Sequence, residues 1–334
     1  MPTKLSSKAI VGMAMVFMGC CTNVVFLEFL VKKFPGSGNI VTFFQFLFIA
    51  VEGFIFSVDF GRKQRAIPLK EYLKMVSLFW VVQVVNNYAL NFNISMPLHM
   101  IFRAGSLMAN LILGVILLKK SYPLMKYLSV LMISIGISIC TIVSSKNVHH
   151  DEDSSEDGNF NEYMRWLIGI GMLLFALFMS ARMGIFQECI YKAHGKHPNE
   201  ALFYNHALPL PIFIFLAPDI KHHIELYNTS EPVDILGFVI PIMWLYLIGN
   251  VITQYICIKG VFILTTECES LIVTLVVTLR KFTSLIFSII YFQNPFTIYH
   301  WIGTALVFGG TLIFTETFTK IRDAFIPPKR KKAD

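Results

Sequence analysis

The sequence predicts an all-α membrane protein of ten transmembrane helices, arranged as two inverted five-helix repeats. Three observations carry this. The 334 residues are 55% hydrophobic and 15% charged, where soluble domains are about 45–50% apolar and about 25% charged, and the mean hydropathy is +0.63. Apolar runs of membrane-crossing length recur ten times. The second half of the chain also echoes the first. A soluble enzyme is excluded, because a chain with 31 Phe and 15 Met lacks the polar surface to cover itself.

In order, the predicted spans are 9–30, 39–58, 75–94, 98–118, 127–144, 166–189, 201–217, 235–258, 265–291 and 298–318. The first follows Lys4 and Lys8, is longer than a signal-peptide core and has no small-residue cleavage site before Lys32-Lys33, so it is retained as a span. With the N-terminus in the cytosol, cytosolic segments hold 19 Lys and Arg residues, Lys259 among them, and the opposite side holds five. That bias places both termini in the cytosol. The net charge of +7 is therefore a topology signal and not a nucleic-acid footprint.

The repeat is legible in short matches. At an offset of 160, Phe26-Leu27-Glu28 aligns with Phe186-Gln187-Glu188, and Phe43-Phe44-Gln45 with Phe203-Tyr204-Asn205. At an offset of 174, residues 127–141 align with 301–315. Five spans per unit invert the second unit relative to the first, which places a binding site near the membrane midplane between them. The expected organisation is a first repeat over 1–144, an acidic lumenal linker over 145–164, a second repeat over 165–318 and a basic cytosolic tail over 319–334. Cys20, Cys21, Cys140, Cys189, Cys257 and Cys268 lie in or beside apolar runs and read as small hydrophobes, without a disulfide framework.

Cations inside the spans point to chemistry, because a charge at mid-bilayer costs at least ~2.5–3.5 kcal/mol unless it faces a cavity or a partner. Arg103 opens the fourth span, Arg182 lies in the sixth, and Arg280-Lys281 stand in the middle of the ninth. Phosphate suits such a site, since Arg grips two oxygens and Lys adds a point charge. The alternative is a structural ion pair, with Arg182 and Glu188 a candidate couple. Glu28 and Glu52 read as gating groups or as salt bridges that fix packing. No metal-ligand cluster or cofactor motif is present, so neither is expected. Asn86-Asn87-Tyr88 in the third span and Phe203-Tyr204-Asn205-His206 in the seventh set amides beside rings. That combination suits a nucleobase, stacked on a ring and read along its edge. Asn86 and Asn87 serve equally as hydrogen-bonding links between helices, and His206 reads more readily as a satisfied histidine of the bundle.

These residues resemble the nucleotide-sugar transporters of the drug/metabolite transporter superfamily, over essentially the whole chain. Phe203 to His206 (FYNH) resembles that family's FYNN nucleotide-binding motif. Thr278 to Phe282 (TLRKF) stands where the family has its ninth-helix lysine and plastid phosphate translocators a Lys-Arg pair, and Arg103 stands where those relatives carry a basic residue. Strings such as Gly38 to Gly53, Pro97 to Arg103, Ser180 to Glu188 and Ala201 to Pro211 are similar to the subfamily that carries UDP-xylose and UDP-N-acetylglucosamine. The resemblance implies the drug/metabolite transporter fold. It also implies exchange of a cytosolic UDP-sugar for lumenal UMP, in the Golgi or endoplasmic reticulum. His206 departs from the motif's final Asn, and Arg280 precedes the lysine, so base and sugar contacts cannot be copied across. A sugar-phosphate exchanger of the same fold would use the same cations without a base pocket.

Lys331 and Lys332 stand four and three residues from the C-terminal end, the spacing of a dilysine retrieval signal that coat proteins recognise, or form a basic tail for anionic lipid. Asn228-Thr229-Ser230 is a glycosylation sequon in the expected lumenal loop. Beyond the lipid bilayer, a homodimer is the other partnership the sequence admits.

Overall fold

The computed structural model describes residues 6–316, apart from 93, 149–155, 196, 236 and 269. The dilysine at Lys331 and Lys332 lies outside the described residues. Helices stand at all ten predicted runs. Eight helical spans are long and apolar enough to cross a membrane, including Ser7–Lys33, Pro35–Phe56, Met96–Leu118, Asn161–His194, Pro198–Asn228 and Ile242–Glu267. The other two are α4, whose first turns carry Lys70, Glu71 and Lys74, and the 17-residue α13.

In chain order the helices are α1 (Ser7–Met15), α2 (Cys21–Lys33), α3 (Gly38–Phe56), α4 (Leu69–Ala89), α5 (Met96–Ala104), α6 (Ser106–Leu118), α7 (Leu124–Val148), α8 (Glu156–His194), α9 (Pro198–Ala207), α10 (Ala217–Asn228), α11 (Ile242–Glu267), α12 (Ser270–Phe292) and α13 (Ile298–Phe314). A π-helical turn, Val16–Cys20, joins α1 to α2, and a 3-10 stretch, Leu210–Leu216, joins α9 to α10.

Several boundaries differ from expectation, among them the third span, which forms as Leu69–Ala89. The seventh run continues through α10 to Asn228 and does not end at 217. The eighth begins at Ile242, because residues 232–241 form an antiparallel hairpin, β1 (Pro232–Ile235) with β2 (Phe238–Pro241); Gly237 at φ +83° supplies the left-handed turn that other residues resist. Helix α11 then runs on to Glu267, which moves Lys259 out of the predicted cytosolic loop and into a span. Helical structure also enters the predicted 145–164 linker from both sides, since α7 reaches Val148 and α8 starts at Glu156.

Small residues set the closest helix contacts. Along α1–α2 and α11, a Cβ on Gly12 would meet Ile263 at 3.0 Å, one on Gly19 the Cys257 backbone N at 2.7 Å, and one on Gly260 the Val16 N at 2.9 Å. Asn23 and Asn250 then bond each other's backbone carbonyls at 2.8 and 3.0 Å, while Gln45 donates to Asn250 Oδ1 at 2.6 Å. This approach corrects the reading of the cysteines. Cys20 and Cys257 are joined as a disulfide across 237 residues, with Cα atoms 4.7 Å apart. Because a Cβ on the adjacent Gly19 would strike the Cys257 backbone, glycine is what lets the two helices come together at this point.

Helices α7 and α13 pack antiparallel in the same way. A Cβ on Gly136 would lie 2.5 Å from Gly303 O and 2.8 Å from Val307 Cγ2, and one on Gly310 would lie 2.8 Å from both Ser129 O and Ile133 Cγ1. The sequence offset of 174 carries Gly136 to Gly310, Ile133 to Val307 and Ser129 to Gly303, so it exchanges these contacts with one another. The offset of 160 does likewise. It carries the Gly53–Phe203 contact, 2.9 Å from a Cβ built on the glycine, into the Phe43–Phe213 ring pair at 5.5 Å. Phe46 and His206, equivalent to each other, touch at 4.7 Å between ring centroids.

Asn228 ends α10 exposed, and its Oδ1 accepts from Trp244 Nε1 at 2.9 Å. If this end faces the lumen, the protein in cells acquires an N-glycan that an endoglycosidase removes and that Asn228→Gln abolishes. A cysteine introduced at Lys221, labelled only after the membrane is permeabilised, checks the same placement independently.

Candidate functional site

Arg103 sits near the end of α5, where α7, α8, α12 and α13 all pack around that helix. It nevertheless keeps an exposed surface among these helices. Arg280 and Lys281 stand midway along α12, half-buried. The three cations repel one another electrostatically: Arg280 acts on Arg103, and both act on Lys281. Among the described residues none of them forms an ion pair, whereas six lysines do. Unneutralised charge gathered in an apolar bundle is unfavourable until an anion arrives. His99, one turn before Arg103 on α5, is buried beside them.

The face of α12 that carries Lys281 continues toward the predicted lumenal side. Ser288 lies seven residues after Lys281, on the same face of α12 and two turns, about 10 Å, along it. Its hydroxyl donates to Glu28 Oε2 at 2.6 Å, and Asn294 Nδ2 donates to Glu28 Oε1 at 2.6 Å. Glu28 is completely buried. It is therefore held by neutral donors and not by a salt bridge. Beyond it opens a vestibule of about 540 Å3, lined among others by Glu28, Lys32, Asn91, Arg165, Trp166 and Asn294. None of Ser288, Asn294 or Asn91 was marked by the sequence, since single polar residues near span ends carry no pattern.

Glu52 does make an ion pair, and its partner is the misplaced Lys259. The Nζ stands 3.0 Å from Glu52 Oε1, which also accepts from Tyr255 Oη at 2.7 Å. The pair links α3 to α11 within their apolar stretches. Lys259 was legible in principle, because the run ICIKGVFIL stays apolar on both sides of it. Removing one partner, as in Lys259→Met or Glu52→Gln, strands the other and is expected to cost about 2–3 kcal/mol, somewhat under the ~3–5 kcal/mol of a fully buried pair. The double variant should recover more than half of that loss in thermal unfolding of the purified protein.

Arg182 and Glu188 do not pair. Six residues of helix turn their side chains to different faces, and Glu188 takes Lys192 at 2.7 Å and Lys120 at 3.4 Å instead. Arg182 is exposed and makes no ion pair among the described residues.

The amide and aromatic candidates divide. Asn87 links helices: its Nδ2 donates to Thr42 Oγ1 at 2.8 Å and Asn39 Oδ1 at 3.2 Å. His206 is buried against Phe46 and Phe79, with Nδ1 2.7 Å from Leu202 O. Phe203 packs on Gly53. Each of these is engaged within the bundle. Asn205 is half-buried, and its Oδ1 has no hydrogen-bond partner among the described residues; Asn86 is half-buried and Tyr88 exposed. Tyr204 stacks on Tyr72 at 4.7 Å and lines a separate cleft with Arg65 and Glu200. The structure thus brings Arg103, Arg280 and Lys281 together but does not gather the whole FYNH run around them.

Comparison with known proteins identifies the family. The model of the UAA transporter family matches residues 8–318. The chain is 61% identical to the human nucleotide sugar transporter SLC35B4, over 96% of this chain and 97% of that protein. It is 61% identical to a UDP-xylose and UDP-N-acetylglucosamine transporter of Danio rerio, over 94% and 96%, and 54% identical to an endoplasmic reticulum GDP-fucose transporter of Drosophila melanogaster, over 96% and 94%. A crystal structure covering 95% of this chain and 99% of its own shares the fold at a TM-score of 0.52, with 12% identity. With its helical spans and its match from Ala9's neighbour Lys8 to Phe318, the chain belongs to the UAA transporter family.

Proposed function

We propose that this protein carries UDP-N-acetylglucosamine, UDP-xylose or both from the cytosol into the Golgi or endoplasmic reticulum lumen, in exchange for UMP. The observation that carries the reading is the trio Arg103, Arg280 and Lys281, mutually repelling and without ion pairs among the described residues, inside an apolar bundle. A diphosphate would neutralise it, with Lys281 and Arg280 on one wall and Arg103 on the other. Asn205, Asn86 and Tyr88 are the polar groups left for uridine and ribose. Nothing covalent is required, and the protein acts as a carrier and not as an enzyme.

The contacts that exchange under offsets of 160 and 174 support a two-fold relation between two inverted five-helix units, with ten spans and both termini in the cytosol. Alternating access follows from such symmetry, because the two units can trade conformations. Exchange follows from charge. The empty trio resists passage between states, and binding any suitable anion lowers that barrier.

The names of the relatives divide on the base, since the Drosophila protein is named for a GDP-sugar. The test is uptake of labelled UDP-N-acetylglucosamine, UDP-xylose and GDP-fucose into liposomes holding the purified protein, with and without UMP inside. Uptake of a UDP-sugar stimulated by internal UMP is expected. Stimulation only by GMP, with GDP-fucose as cargo, would overturn the uridine assignment, and uptake of simple sugar phosphates alone would overturn the nucleotide reading.

A further inference from the structure

A second anion-shaped place lies away from the central trio. The cleft lined by Tyr204 has a volume of about 350 Å3 and is bordered by Lys63, Arg65, His197, Asn199 and Glu200 as well. Its two sides are the α3–α4 connection and the first turn of α9. Lys63 and Arg65 are exposed and form no ion pair among the described residues, and Arg65 is close enough to act electrostatically on the Tyr204 phenol.

What sets the cleft apart from an ordinary basic loop is that it is held in shape. The Glu200 carboxylate accepts from the backbone N–H of Ala66 at 3.0 Å and of Ile67 at 3.2 Å, and from Tyr72 Oη at 2.9 Å. Tyr72 is completely buried and stacks on Tyr204. One carboxylate therefore ties the cation-bearing loop to the helix and ring that form the opposite wall. A topology signal needs only net charge and gains nothing from this order. A docking site does, since preorganisation spares the ligand the cost of ordering the loop. The three neutral donors orient Glu200 but leave its charge in place, and it acts on Tyr204 as Arg65 does; with Lys63 and Arg65 against this one carboxylate, the cleft offers a ligand a net cationic rim with one aromatic side.

We propose that this cleft is a docking site for a nucleotide phosphate on the cytosolic side, distinct from the central trio. Lys63 and Arg65 attract the phosphates while Tyr204 borders the base. The proposal rests on the cytosolic orientation given above and deepens that reading. Its role is capture: two unpaired cations at the mouth raise the local concentration of a dianionic substrate before it enters, an effect that salt screens.

The test compares wild type with Lys63→Ala/Arg65→Ala for UDP-N-acetylglucosamine uptake at the cytosolic face. At low salt the double variant should show about a tenfold higher KM with kcat within about twofold, and the difference should close near 0.5 M salt. An equal KM at low salt overturns the proposal. UDP binding to full-length protein in detergent keeps this separate from the central site. Lys281→Ala should retain a weak, salt-sensitive phase that is lost when Lys63→Ala/Arg65→Ala is added. Undiminished UDP binding by Lys281→Ala would sink the central reading and leave the cleft comparison standing. A headgroup phosphate is the other source of the same chemistry. If short-chain phosphatidylinositol phosphate, but not UDP, loses binding in Lys63→Ala/Arg65→Ala, the cleft is a lipid site and the nucleotide proposal falls.

Discussion

Lys281→Ala is expected to lower UDP-sugar exchange by on the order of 100-fold or more while the protein still purifies as a folded monodisperse species. The reasoning starts from where the lysine stands. It is midway along an apolar helix, repelled by Arg280 and Arg103 and relieved by no carboxylate among the described residues. Deleting it should therefore ease the empty protein, not strain it, and thermal stability should hold or rise. The loaded protein loses a charge-assisted contact to phosphate in a partly desolvated cavity, a deletion that typically costs about 2–5 kcal/mol. Lys281→Arg keeps the charge but exchanges a point donor for a planar fork, so it should retain part of the activity. Loss of exchange with a melting temperature at or above wild type is the result that separates a substrate contact from a structural one. Near-normal uptake by Lys281→Ala would remove Lys281 from the site.

The second large effect concerns packing. Gly303→Leu should abolish recovery of folded protein, and Gly303→Ala should lower its thermal stability by about 1–3 kcal/mol, the usual cost of overpacking. A Cβ on Gly303 would stand 2.5 Å from Cys140 Sγ and 2.7 Å from the Gly136 carbonyl oxygen. The second neighbour is backbone and cannot rotate away. Gly171, by contrast, has nothing within 4 Å of such a Cβ, so Gly171→Ala should be neutral or slightly stabilising in the same helical setting. Size-exclusion profiles and melting curves of the three variants in one detergent provide the check. Equal stability of Gly303→Ala and Gly171→Ala would mean that α7 and α13 are not packed as closely as the structure has them.

The cation trio could be read from one sequence because insertion energetics is local. A Lys or Arg within an apolar run is conspicuous without any knowledge of its neighbours, so Arg103, Arg182, Arg280 and Lys281 all stood out from position alone, and only the structure sets Arg182 apart from the other three. The partners of charges did not. Glu28 looked like half of an ion pair, yet Ser288 and Asn294 hold it, and hydroxyls and amides near span ends resemble those at any helix terminus. Glu52 and Lys259 lie 207 positions apart and meet only because α3 and α11 cross.

The apolar helices and the bias of basic residues between alternate connections are legible in the sequence itself, because the bilayer acts on each helix separately through length, apolarity and charge. The short matches at offsets of 160 and 174 are legible in the same way. Both offsets were already written there before the α7–α13 and α3–α9 contacts exchanged under them. Only the tertiary structure decided that Cys20 reaches Cys257, that His206 and Asn87 are engaged in packing, and that Tyr204 faces a cleft apart from the trio. Each of those outcomes depends on how closely two helix backbones approach, and that distance is set by glycines such as Gly19 and Gly53 meeting a particular residue on a distant helix. Hydropathy records which residues leave water; it holds no record of which of them then touch.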